Sequence, residues 1–167
     1  MIKMTDKLVS TMPPIYVSQG VRSNELRAQN AARIILAIEN TLPAFQKLLD
    51  IPKDLKFRIC TFKGTTRGLY ANDTKTVSIS PMSKWENVML TLAHELVHAE
   101  QFHTKRLAHV KVPRKGYRMA WFGSVGSKGT TRNAYLNQPW EKEAFGRQQE
   151  LADKVLEMLE DSQESNS

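Results

Sequence analysis

The chain has 167 residues, 41% of them apolar and 25% charged, with a formal net charge of +7. That is enough chain for one domain with a real core, and no apolar run nears the ~20 residues of a membrane span. Its single cysteine, Cys60, excludes an internal disulfide and a cysteine-built zinc ribbon; within FRIC it reads as a small core hydrophobe. The N-terminal stretch MIKMTDKLVSTMPP lacks the apolar run of a secretory signal, so the expected location is cytoplasmic. The positive charge permits an anionic partner without demanding one.

Residues 1–20 show little periodicity and contain Pro13-Pro14; they are expected to form a loosely ordered arm with a short strand at IYVS. A helix is expected from Asn24, since Leu26, Ile34, Ile35 and Ile38 recur with helical period, and Pro43 should break or kink it. LKFRICTF alternates as a strand does, and TRGLYA and KTVSIS flank the turn residues Asn72 and Asp73, which predicts a hairpin. A second long helix should follow, with Ser83 and Glu86 as a capping box, ending near His103. Residues 104–136 read as irregular. Between residues 101 and 140 there is no Asp or Glu, but there are eight cations: Lys105, Arg106, Lys111, Arg114, Lys115, Arg118, Lys128 and Arg132. A last helix should run from Pro139 to about Glu160, with residues 161–167 as a disordered tail. Residues 21–160 then form one α+β domain with a small, mostly antiparallel sheet.

The second long helix carries HELVHAEQ, residues 94–101. Positions i and i+4 share a helix face, so the His94 and His98 imidazoles can reach one ion. Glu95, rotated about 100° from His94, can touch a water on that ion. This is the His-Glu-x-x-His pattern of zinc metalloproteases, and chance would produce it in under about 1% of shuffled chains of this composition. The bland alternative is two hydrogen-bonded histidines in a buried helix.

A catalytic zinc takes three protein ligands and leaves a position for water. The metzincin extension needs Gly and His where this chain has Gln101 and Thr104. His103 lies about 140° around the helix from His98. His109 stays a candidate. The stronger one is in the last helix. With Trp140 set at 0°, the apolar residues Trp140, Ala144, Phe145, Leu151, Ala152, Val155, Leu156, Met158 and Leu159 fall between roughly 0° and 160°. Glu141 lies at about 100°, inside that arc, and Glu143 at about 300°, outside it. A carboxylate aimed at the core is costly unless paired or metal-bound. Pairing with an arginine of the basic segment is the competing explanation for Glu141. Gln148, at about 80°, is either a partner of the site or a helix residue near the surface.

At this point the chain resembles the small single-domain gluzincin-type zinc metallopeptidases, the minigluzincins. The resemblance rests on HELVHAEQ and a downstream E-x-x-A helix, Glu141-Lys142-Glu143-Ala144, and covers roughly residues 24–160. Phe145 stands where these proteins often have an aspartate. The resemblance implies a zincin-like fold: an N-terminal helix, a small sheet, an active-site helix and a C-terminal helix bearing the third ligand. It implies Zn2+ held by His94, His98 and Glu141, Glu95 as general base, and a peptide or protein substrate paired along a sheet edge at Gly68, Leu69, Tyr70 and Ala71. The reaction is then amide hydrolysis by a zinc-activated water, with Tyr117, Arg118, His109 and Tyr135 as candidate oxyanion donors.

The rival reading is a nucleic-acid-binding module whose residues 104–132 hold phosphates, with a purely structural metal. Glu95 argues against it, because a structural site has no use for a base. A protease acting on nucleic-acid-bound proteins would combine the two. SprT-like proteases share the first motif, but their third ligand is histidine and their cysteine ribbon is absent here.

Overall fold

The computed structural model describes residues 12–82, 84–126 and 131–164. A short strand, β1 (Ile15–Val17), leads through one helical turn, α1 (Gln19–Arg22), into the long helix α2 (Glu25–Leu48). Part of the expected arm is therefore strand and helix; residues 1–11 lie outside the described residues. Asn24 caps α2 by accepting the Arg27 N–H at 3.0 Å. Pro43 does not break the helix. It lies on the exposed side, as does Glu39, whose carbonyl loses its partner, so water can satisfy that group.

Three strands follow: β2 (Lys56–Ile59), β3 (Gly68–Ala71) and β4 (Thr76–Ile79). The sheet order is β1-β2-β4-β3. The β3–β4 hairpin is antiparallel, but β1–β2 and β2–β4 pair parallel, so this sheet is mixed rather than mostly antiparallel. The crossover through α1 and α2 is what allows β1 and β2 to run the same way. As the last strand in the order, β3 has one edge without a strand partner among the described residues.

The helix carrying HELVHAEQ, α3 (Trp85–His103), packs on β3 and β4. Its N-cap position is Lys84, with no side-chain cap; the capping box expected at Ser83 lies outside the described residues. The segment after α3 is not irregular. It forms a three-stranded antiparallel sheet, β5 (Leu107–Val112), β6 (Gly116–Trp121) and β7 (Ser124–Val125), then a short helix, α4 (Arg132–Leu136). LAHVKV and GYRMAW flank a turn at Pro113, Arg114 and Lys115, and proline is a turn residue. Only Leu107 and Ala120 of these strands are buried, and the cations between them hid the pattern. The last helix, α5 (Pro139–Glu164), runs past the expected end at 160, so residues 161–164 are helical; 165–167 lie outside the described residues.

One core joins these elements. Ile34, Ile38 and Phe45 of α2, Phe57 and Ile59 of β2, Val77 and Ile79 of β4, Leu92 and Leu96 of α3, and Leu151 and Val155 of α5 all belong to it. No helix of the described residues is long and apolar enough to cross a membrane.

Candidate metal centre

Leu92, Ala93, Leu96 and Val97 are fully buried and press α3 into the core, which carries His94, Glu95 and His98 inward with them. Helix α5 packs its own apolar stripe, Trp140, Ala144, Leu151, Ala152 and Val155, against α3, and Glu141 goes in with that stripe at 3% exposure. Two residues of the expected arc turn outward: Phe145 and Leu156 are half-exposed. The Phe145 ring still stands 4.5 Å from the His94 ring.

The protons of this cluster can be placed from its hydrogen bonds. Gln101 is completely buried. Its Nε2 donates to the Trp140 carbonyl at 2.9 Å and to Glu143 Oε2 at 3.3 Å, which turns Oε1 toward His98 Nδ1 at 2.8 Å. An amide oxygen only accepts, so His98 Nδ1 carries the hydrogen. Gln148 Oε1, 3.1 Å from His94 Nδ1, sets the same tautomer there. Each neutral ring then presents a lone pair at Nε2. These two nitrogens face each other at 3.1 Å, with Glu141 oxygens 3.3 Å from His94 and 3.4 Å from His98.

Three acceptors thus converge with no donor between them. The 3.3 Å contact to Glu141 Oε2 is not a hydrogen bond, and that oxygen is buried without a hydrogen-bond partner. A cation has to compensate, either a proton or a metal. Ligand atoms about 2.0–2.1 Å from a tetrahedral zinc lie roughly 3.3 Å from one another; here the two Nε2 atoms are 3.1 Å apart and each is 3.3 or 3.4 Å from a different Glu141 oxygen. Among the described residues, His94, His98 and Glu141 form a group that could hold a metal ion, with one ligand atom from each within 4.8 Å of the others.

The proton is one such cation: burial disfavours a charge on Glu141, but once a ring carries a proton at Nε2, His94 and His98, with the Tyr135 hydroxyl, outweigh it and hold the carboxyl at a pKa of about 2. Burial likewise opposes a charge on His98, yet Glu141 and Glu95 hold its pKa above the ordinary histidine value. Glu95 is raised above the ordinary carboxyl range, chiefly by burial, against the pull of both histidines. A raised pKa makes the ionised carboxylate a stronger proton acceptor than an ordinary glutamate.

The free-edged strand β3 lies directly over Glu95. A Cβ on Gly68 would come within 2.7 Å of Glu95 Oε1 and 2.6 Å of Thr91 Cγ2, so only a bare backbone fits. The Tyr70 N–H is directed to the same carboxylate. Two cavities of about 590 and 900 Å3 flank the site, and Gly68, Glu95 and Tyr135 border both. β3 therefore lies along a continuous cleft, and β5 and β6 wall its larger half through Leu107, His109, Tyr117 and Met119. His109 stacks on Phe102, with ring centroids 5.1 Å apart, and is not among the converging ligands. His103 faces Asp50 at 3.5 Å.

Glu143 goes elsewhere. With Glu100 it binds Arg106 and Arg147 at 2.5 to 2.9 Å, an ion cluster beside the histidine site. The arginine partner considered for Glu141 thus belongs to Glu143. Sequence reasoning passed over Gln101, whose signal was its position seven residues after His94 on the same helical face. The Arg106–Arg147 cluster joins residues 41 positions apart and had no local signal.

Residues 13–124, 112 of the 167, match the family described as "Putative metallopeptidase family (DUF6782)". The chain belongs to this family. The matched stretch holds His94, Glu95 and His98 and ends before α5, so membership in this metallopeptidase family and the position of Glu141 are independent observations. No curated protein and no solved structure matches the chain.

Proposed function

We propose that this metallopeptidase is zinc-dependent and of the gluzincin type, with His94, His98 and Glu141 as ligands. The observation that carries the reading is the meeting of three buried acceptors whose remaining protons are fixed by Gln101 and Gln148. When bound, zinc supplies Lewis acidity, polarising the scissile carbonyl and lowering the pKa of the attacking water. Glu95 accepts the proton of that water and passes it to the leaving amine; its burial supports this role. A peptide or protein pairs with the open edge of β3 at Gly68, Leu69, Tyr70 and Ala71, and the bare Gly68 lets that strand lie against Glu95, so a paired chain runs beside it.

Of the four candidate oxyanion donors, Tyr135 has the best position. It borders both halves of the cleft beside Glu95, whereas His109, Tyr117 and Arg118 line one half only. Burial and the neighbouring Glu141 raise its pKa, which keeps the phenol protonated; its hydrogen is directed to Glu141 here and would turn from it to meet an oxyanion.

Elemental analysis of purified protein should give one zinc per chain, and Glu95→Gln should retain that zinc while losing peptide cleavage. Protein that neither contains zinc nor takes it up on addition would end the reading.

A further inference from the structure

The two halves of the cleft differ in chemistry. The larger is walled by apolar side chains, among them Leu69, Tyr70, Phe102, Leu107, Met119 and Trp140, and away from the site its charges are one of each sign, Asp73 and Arg118. The smaller is cationic. Apart from His94 and Glu95 of the site itself, its charged lining residues are Arg67 and Arg132.

Both arginines are exposed, and neither has an ion pair among the described residues. Arg106 and Arg147 show the contrast: their guanidiniums are held by Glu100 and Glu143. Arg67 immediately precedes Gly68, so a peptide lying along β3 passes it. Arg132 opens α4, the helix whose Tyr135 borders the site. Two uncompensated cations on different elements, bordering one half of a cleft beside the reacting centre, are arranged to receive an anion. A guanidinium fork matches a carboxylate in shape as well as charge.

We infer that Arg67 and Arg132 select substrates with a carboxylate on one side of the scissile bond, opposite an apolar residue on the other. The inference rests on the peptidase reading above. The carboxylate has two sources: an Asp or Glu side chain, or the free C-terminus of a short peptide.

The test uses the zinc-loaded full chain carrying Glu95→Gln and short labelled peptides, each varied between Glu and Gln and between free and amidated C-termini. Fluorescence anisotropy should show the acidic form bound about 10-fold tighter than its amide. That ratio should shrink at high salt. Arg67→Ala and Arg132→Ala should each bring it toward unity; both residues are exposed, so the fold should tolerate the changes. A preference that follows the internal Glu assigns the side-chain source, and one lost on amidation assigns the C-terminus. Cleavage profiling with the unmodified chain should place the carboxylate consistently on the same side of the cut. Equal binding of acidic and amide peptides, free or amidated, overturns the inference while leaving the peptidase reading intact. A zinc-loaded protein that holds no peptide at all removes both.

Discussion

Glu141 and Glu143 stand two residues apart at the start of one helix and enter opposite kinds of cluster. Glu141 meets two imidazole lone pairs and has one oxygen without a hydrogen bond, in a group that lacks a positive charge. Glu143 meets two guanidiniums, in a group where Glu100 and Glu143 balance Arg106 and Arg147. The first cluster is incomplete as a piece of protein and complete as a ligand set. The second is complete on its own and ties α3, α5 and the start of the second sheet together. Residue type and helix position alone do not separate them, since acids are favoured in any first helical turn. The separation comes from the direction in which each carboxylate leaves α5.

The largest expected effect breaks the first cluster. Glu141→Ala should weaken zinc binding by more than the 10–100-fold typical of a lost outer partner, read by competition with a chromophoric chelator. Glu143→Ala should stay within about tenfold of the parent in the same assay, because it touches the site only through Gln101. It should instead lose about 2 kcal/mol of stability in denaturant unfolding, since it leaves two partly buried arginines under-compensated. If Glu143→Ala released the metal and Glu141→Ala kept it, the two roles would have to be exchanged.

Gln101 is the joint between the clusters, holding His98 with its oxygen and Trp140 and Glu143 with its nitrogen. Gln101→Leu should lower zinc affinity roughly 10–100-fold. Gln101→Glu should retain more zinc affinity than Gln101→Leu, because a carboxylate still accepts the Nδ1 proton, but should lose stability, because its second oxygen faces the Trp140 carbonyl and Glu143. Equal zinc affinity in the two variants, both still folded, would remove the imidazole hydrogen bond from what Gln101 contributes.

Titration should also tell the clusters apart. In metal-free protein Glu141 has a depressed pKa, so its contribution is full above the ordinary value of 4.5 and fades as pH falls toward about 2. His98 has a raised pKa, so its contribution is full below 6.5 and fades as pH rises through the shifted value. Glu95 has a raised pKa, so its contribution is full below 4.5 and fades as pH rises; with His98, it means that metal-free protein should weaken as pH rises on the alkaline side, where the acceptors lose their proton. Zinc should raise the melting temperature most at alkaline pH, where no proton competes. A zinc effect independent of pH would place the ion away from these histidines.

The smallest effect concerns cations that belong to neither cluster. Lys111, Arg114 and Lys115 sit on β5 and its turn into β6, exposed. Neutralising all three should leave the melting temperature nearly unchanged and weaken binding to nucleic acid, most at low salt, if the basic segment has such a partner. A large drop in stability would show that these charges are paired.

Much of the fold was legible because its signals are local. Asn24 announced the start of α2, the alternation of Leu55, Phe57 and Ile59 announced β2, and Asn72-Asp73 announced the β3–β4 turn. Two expectations failed for lack of such a signal. β1 and β2 pair parallel through a crossover that no short window contains, and the sheet at residues 107–125 buries too little of either face to stand out among its cations.

By itself, then, the sequence determined that His94 and His98 share one helical face and that Glu141, unlike Glu143, rides on an apolar arc. Both follow from 3.6 residues per turn. Only the tertiary structure decided that the two faces meet, that Gln101 and Gln148 rather than an acid hold the two rings, and that Gly68 lies against Glu95. Those depend on how α3, α5 and β3 pack, and packing brings together residues tens of positions apart in the chain, which local periodicity does not register.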